Sequence, residues 1–419
     1  MSEAALQGPA SRSVQVRGFV AAWLGWAFDG LDGFLYTLVA IPFVKELLEA
    51  GASKSEVAAK ASLIQGVFLI GWAIGGAFFG RVGDRLGRSR TLTWTILTYA
   101  VFTGLSYFAQ AWWQLLIFRF VAALGIGGEW AAGSALVAET VHARHRAWAS
   151  ATLQSAYMVG MILAAAAYLQ FHAHPRDVFL VGVVPAIVTL WIRRAVPEPE
   201  VWKAERTKTE MPPMSALFAT GVRATTLLTL GLTCISLTTV WAFLYFSVQA
   251  IRGLPEAKAM APADLTHLIV SVTIIYSLVN IASNYVATYF AKAIGNRLTF
   301  GIYFVGCLLS FLIGFGHPRS LEETRLWINI AAFFCLGLFA PFPLYIPPLF
   351  PTLIRTTGAG FTYNFGRLVA GVGTFFLGAI TVDAGKAIFY AGLLYIPGIA
   401  LAFFIREPYA RTEAAPAPA

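Results

Sequence analysis

Charged side chains are scarce in this 419-residue sequence: Asp, Glu, Lys and Arg together make up 12% of it. An average soluble domain carries roughly 25%, so most of this chain cannot be presenting a water-facing surface. Cysteine is nearly absent as well. Cys234, Cys307 and Cys335 all fall inside apolar stretches, and an odd number so placed argues against a disulfide framework. His142, His145, His172, His174, His267 and His317 lie in or near loops, without the spacing of a metal site on a helix. There is no Gly-x-x-x-x-Gly-Lys phosphate loop and no nucleophile motif. No metal, no cofactor and no enzyme activity is therefore expected.

What the sequence has in quantity is apolar length. Apolar residues make up 58% of it, in blocks of about 20, each enough to cross a hydrocarbon core of about 30 Å. The first, "GFVAAWLGWAFDGLDGFLYTLVAIPFV", is too long and too rich in aspartate for a signal peptide, and reads as a retained helix. Twelve spans are predicted: 18–44, 61–80, 91–110, 113–139, 148–170, 178–195, 224–250, 266–290, 298–316, 325–346, 356–382 and 385–405. The longest polar stretch, "PEPEVWKAERTKTEMPP", divides six from six. The expected fold is an all-α polytopic membrane protein, with two pseudo-symmetric six-helix bundles at 1–195 and 224–405. A cytoplasmic linker at 196–223 joins them, and 406–419 reads as a disordered tail.

Most of the 30 Lys and Arg fall in segments that are cytoplasmic if the N-terminus is inside. Both termini are thus expected in the cytoplasm of a cell (inner or plasma) membrane. The net charge of +9 reports this topology. Spread over short loops, it argues against nucleic acid as a partner, and a monomer in the bilayer is expected.

Two acids interrupt the first span, in "FDGLDGFLY". An ionised aspartate at the centre of a spanning helix costs around 2.5 to 3.5 kcal/mol on insertion scales, so Asp29 and Asp32 should face a partner or a wet cavity. Three residues apart, they share one helical face. Carboxylates that close disfavour each other's ionisation, which suits one of them to carry a proton. At 1.5 Å per residue, Asp32 lies about 20 Å above the cytoplasmic face. Arg119, on the antiparallel fourth helix, lies about 10 Å below the external end, at the same depth in a core of about 30 Å. The two are predicted to pair and to part on protonation; a permanent bond locking the two helices is the structural alternative. Arg367, about 15 to 18 Å into the eleventh helix, can hold a carboxylate with its fork, with Asn364 one turn below; it could instead satisfy carbonyls of a neighbouring helix. Tyr276, Asn280 and Asn284 on the eighth helix and Trp241, Tyr245 and Gln249 on the seventh repeat every four residues. They are candidates for lining a wet cavity or for gluing helices together. Glu129, nearer the cytoplasmic end of the fourth helix, is read as pairing with gate arginines rather than relaying protons.

The loop "GRVGDRLGRSRTL", with Gly80, Asp84, Arg85, Gly87, Arg88 and Arg90, resembles the signature loop of the major facilitator superfamily. Glycines there allow tight turns and close helices, and an aspartate among arginines can pair in one conformation and release in the other. "FAKAIGNRLTF" echoes it in the second half through Gly295, Asn296 and Arg297. "RFVAALGIGGEWAAGSALVAETVHARHRAWAS" is similar to the fourth-helix region of proton-coupled members, with Ala123 where glycine is commoner. "VPEPEVW" and "LFPTLIRTTGAGFTYNFGR" also fit the group. Within it, "DGLD" resembles the aromatic-acid:proton symporters, and "GGEWAAGSALVAET" with "HARHR" the sialate and lactate-type symporters. The fifth helix lacks the Gly-Pro pair of many drug:proton antiporters. The resemblance implies uptake of a small organic acid (lactate, a sialic acid or an aromatic acid) with protons, by alternating access. A carrier of a neutral solute such as a sugar is the alternative. A non-transporting membrane receptor is the alternative of another class.

Overall fold

In the computed structural model, residues 12–48, 52–142, 145–171, 174, 176–185, 187, 191, 195–208, 210–381 and 383–406 are described. Nearly all of the proposed tail and part of the sixth predicted span lie outside them. The first half holds α1 (Arg12–Glu46), α2 (Lys54–Leu86), α3 (Arg88–Tyr107), α4 (Trp112–Thr140), α5 (Arg146–Phe171) and α6 (Val178–Val181). A short α7 (Glu200–Lys208) lies between the halves. The second half holds α8 (Arg223–Gly253), α9 (Pro262–Phe315), α10 (Leu321–Gly337), α11 (Arg355–Ile380), α12 (Ala384–Leu393) and α13 (Tyr395–Ala402). Several helices outrun the predicted spans. Lys54–Leu86 replaces 61–80, because helical hydrogen bonding continues through polar turns beyond the hydrocarbon. On the outside, Ile70, Ile74, Phe78, Trp94, Leu278 and Leu309 are exposed apolar residues. In water such a belt would be a liability; against lipid tails it is the required surface.

Two helices bend where the sequence demands it. α1 turns by 49° between Tyr36 and Leu38. Pro42 lies inside that helix and its ring meets the carbonyl four residues back, at Leu38. α9 is two spans joined at Gly295, where φ is 85° and ψ 163°. Gly87, between α2 and α3, has φ 107° and ψ 157°. Only glycine takes these angles at little cost. The faint echo of the signature loop in the second half is thus the same backbone corner used twice.

Packing follows the halves. α1 packs on α4 and α5, and α4 on α2 and α3; α8 packs on α11 and α12, and α9 on α10, α12 and α13. The halves meet through α2 against α11, α5 against α9 and α4 against α11. The α1–α5 crossing is glycine-dependent: a Cβ on Gly160 would stand 1.8 Å from the Ala27 carbonyl oxygen, and one on Gly30 2.2 Å from that of Tyr157. This close backbone approach fixes the depth at which α1 presents its two aspartates.

Candidate functional site

The acids of α1 lie fully buried. Arg119 Nη1 donates to Asp32 Oδ1 at 3.0 Å and Oδ2 at 3.2 Å, and Nη2 donates to the Asp32 carbonyl at 3.1 Å. Thr103 Oγ1 adds a bond to Oδ1 at 2.5 Å. Phe68 caps the guanidinium at 4.6 Å from its ring centre. Asp32 and Arg119 are therefore in contact and closely held. Asp29 is not part of this bridge. Its carboxyl faces Glu129 of α4, which is also buried, and lies within electrostatic reach of Arg367.

Arg367 projects from α11 onto the wall of a pocket between the halves. It is 3% exposed. Its guanidinium lies 4.2 Å from the Trp72 ring centre and 4.8 Å from that of Tyr363. Nη1 donates to Asn364 Oδ1, while Nε has no partner. Trp26, Tyr157, Trp241 and Phe339 supply further aromatic wall, with Gln154 and Asn280 as polar points. Trp130 stacks on Tyr363 at 3.8 Å, bracing that ring.

Of the other predicted site residues, Trp241 and Asn280 line the cavity. Asn284 instead ties the halves together, donating to Ser155 Oγ of α5 at 3.0 Å. Asn364 is held by the Gly127 and Gly360 carbonyls at 3.3 and 2.9 Å and orients Arg367. Tyr276 is buried and Gln249 half-buried, but both lie outside the lining. Tyr245 is 57% exposed on the outer face of α8. An amphipathic phenol suits a membrane interface as well as a cavity, so polarity alone misplaces it.

At the end bearing the signature loop, the halves are locked together. Asp84 accepts from the N-terminus of α11: Thr356 N–H at 3.1 Å, Thr357 N–H at 2.8 Å and Thr357 Oγ1 at 2.5 Å. Arg88 pairs with Asp84 at 3.3 Å and Glu139 at 3.0 Å, and donates to the Thr352 carbonyl at 2.7 Å. Glu139 in turn holds Arg355 at 2.8 Å. Gly80 lets α2 approach the Thr356 carbonyl. Arg85 is exposed, and Arg90 joins through its backbone N–H to Glu198, 2.9 Å away. Glu129 does not meet these arginines; Glu139, ten residues further along α4, does. Those ten residues are about 15 Å of helix, enough to separate the gate from the buried acids.

Glu139, Glu198, Trp72 and Tyr363 were not among the sequence candidates. The Glu198 carboxylate accepts from Ser89 and Arg90 N–H and caps α3, and Trp202 Nε1 donates to the Asp84 carbonyl at 2.9 Å. The segment "VPEPEVW" therefore folds back as a brace on the gate. A signal for Glu139 did exist: Arg88, buried beside Asp84, needed a second carboxylate at its own depth.

The Major Facilitator Superfamily model matches residues 21–342. The chain belongs to the major facilitator superfamily. It is an integral membrane transporter rather than an enzyme, with the fold of that family. It is 30% identical to the probable 4-methylmuconolactone transporter of Cupriavidus pinatubonensis, over 89% of this chain and 85% of that one. A sialic acid transporter of Escherichia coli is 29% identical, over 84% of each chain. Among solved structures, the proton:xylose symporter bound to 6-bromo-6-deoxy-D-glucose superposes with a TM-score of 0.79. That match covers 95% of this chain and 97% of that one at 16% identity, so the likeness is one of fold.

Proposed function

We propose that this transporter carries a small, flat organic acid inward together with a proton, and that Arg367 receives the carboxylate. The observation behind this reading is the state of Arg367: a buried guanidinium on a cavity wall, with an unpartnered Nε and two aromatic rings, Trp72 and Tyr363, close by. A planar fork matches a carboxylate in two parallel bonds. These two rings favour a flat, unsaturated or aromatic body over a polyol, whose hydroxyls would need partners that this wall supplies sparsely. A lactone or sialic acid as cargo of the relatives agrees with organic-acid transport in general. Proton coupling is proposed to reside in the buried acidic cluster around Asp29 and Asp32, where α1 is held on α4 by Arg119, and the signature loop with Asp84, Arg88 and Glu139 is the proposed cytoplasmic gate.

The test is uptake into proteoliposomes of labelled benzoate, nicotinate, cis,cis-muconate, N-acetylneuraminate and xylose, with and without an inward proton gradient. Gradient-driven accumulation of the flat acids is expected. Xylose uptake indifferent to the gradient, with no acid uptake, would overturn the reading.

A further inference from the structure

Beside the Asp32–Arg119 bridge lies a second pair of buried acids with no directly bonded cation. The Glu129 carboxylate of α4 lies against Gly25 of α1, one turn from Asp29, so the two acids are buried neighbours. They are 0% and 1% exposed, and none of their four oxygens receives a donor from the other described residues. Gly25 makes the approach possible: Glu129 Oε1 lies 2.1 Å from where a Cβ at that position would stand. Two carboxylates cannot bond to each other, because each only accepts, whereas an acid and a carboxylate can. The neighbouring acids therefore fit an O–H···O pair holding one proton and one negative charge.

The groups facing it come from every side. α1 adds Asp32, itself bound to Arg119 of α4. α3 adds Tyr99, α5 Tyr157 and α11 Arg367. Of these, Arg367 is the cation without a carboxylate bound directly to it.

Resting on the proton-coupled acid reading above, we propose that Asp29 and Glu129 share one resident proton and take up the transported proton as their second, while Asp32 and Arg119 stay paired to position α1 on α4. The charges balance. In the empty carrier the acid pair counts −1 and Arg367 +1. A substrate carboxylate on Arg367 brings −1, and a proton from water on the pair brings +1, so the sum is again zero. The only covalent bond formed is O–H, and release reverses it. Asp32 has both oxygens already taken by Arg119 and Thr103, which suits it to anchoring rather than to exchanging protons.

Two readouts on purified protein in nanodiscs test this. In the infrared, the substrate-free wild type at neutral pH should show a protonated-carboxyl C=O band that vanishes in Glu129→Gln and in Asp29→Asn. The band should survive in Asp32→Asn. Separately, nicotinate binding followed by tryptophan quenching should weaken about tenfold for each unit of rising pH, the signature of one proton taken up per anion. That slope should flatten in Glu129→Gln. A band that persists in Glu129→Gln and Asp29→Asn, or a slope unchanged in Glu129→Gln, would overturn the assignment. Wild-type protein that binds no acid at any pH would sink the transport reading, and the infrared band would still decide the acid pair.

Discussion

Asp84→Asn should open the gate end, and the size of the effect can be worked from its contacts. The carboxylate is fully buried and accepts three hydrogen bonds from Thr356 and Thr357, across the boundary between the halves. Asparagine keeps one acceptor oxygen and turns an amide NH₂ towards donors. The loss is at least one charge-assisted bond plus one donor left facing a donor, about 2–4 kcal/mol. The Arg88 contacts with Asp84 and Glu139 lie within one half and survive opening. Those to α11 do not, so the loss falls on the closed state. At about 1.4 kcal/mol per tenfold, the closed-to-open ratio drops roughly 30- to 1,000-fold. Spin labels at the exposed positions Arg90 and Lys292, in a background with the three cysteines replaced, read this directly. A new, longer distance should dominate in Asp84→Asn. A distribution identical to that of the parent would show that Asp84 does not hold the gate, and would refute the reasoning.

Other perturbations follow from single contacts. Arg367→Lys replaces a planar fork beside two rings by a point charge, and should raise the KM for flat acids about tenfold or more in proteoliposome uptake. Gly295→Ala puts a Cβ on φ 85° and should cost about 1–2 kcal/mol, seen as a lower Tm in detergent. Gly160→Leu cannot keep the 1.8 Å approach to Ala27 and should abolish the monodisperse folded peak in size-exclusion chromatography. Gly371→Ala, with nothing within 4 Å of its Cβ, should leave that peak intact.

The sequence made the Asp32–Arg119 contact legible because helical rise is uniform and the two helices run antiparallel; depth alone brought the pair together. Depth alone also put Glu129 at the gate, and there it failed. Which face of α4 looks at α1 depends on where Gly25 and Gly133 let the helices close, and linear spacing does not encode that. Asn280 and Trp241 were found by four-residue periodicity, yet Tyr245 shares that periodicity and faces outward. One stripe cannot distinguish a cavity from a membrane interface. Trp72 escaped notice because a tryptophan in an apolar span is unremarkable until a cation from the other half lies over it. The gate loop was readable from its charge pattern. Its brace, Glu198 and Trp202, was not, since more than a hundred residues separate it from the turn it supports.

The proposed charge count also explains why coupling would be obligatory. Alternating access requires the cavity to close and then reopen on the other side, and a net charge inside the closed core is penalised by several kcal/mol. The empty carrier closes with Arg367 balanced by the Asp29–Glu129 pair. The fully loaded carrier closes balanced again, with the anion on Arg367 and the pair neutral. Anion without proton leaves −1, and proton without anion leaves +1. At about 3 kcal/mol for either misloaded state, uncoupled passage falls roughly 150-fold below coupled passage. Glu129→Gln keeps the charge count but removes the partner acid. With a single carboxyl left near Arg367, the anion-loaded core is neutral once Asp29 alone is protonated, whereas the empty core balances only while Asp29 stays ionised. The remaining acid would then have to take up and give up its proton unaided by a partner. Its failure to do so would appear as exchange of labelled for unlabelled nicotinate that outlasts net uptake.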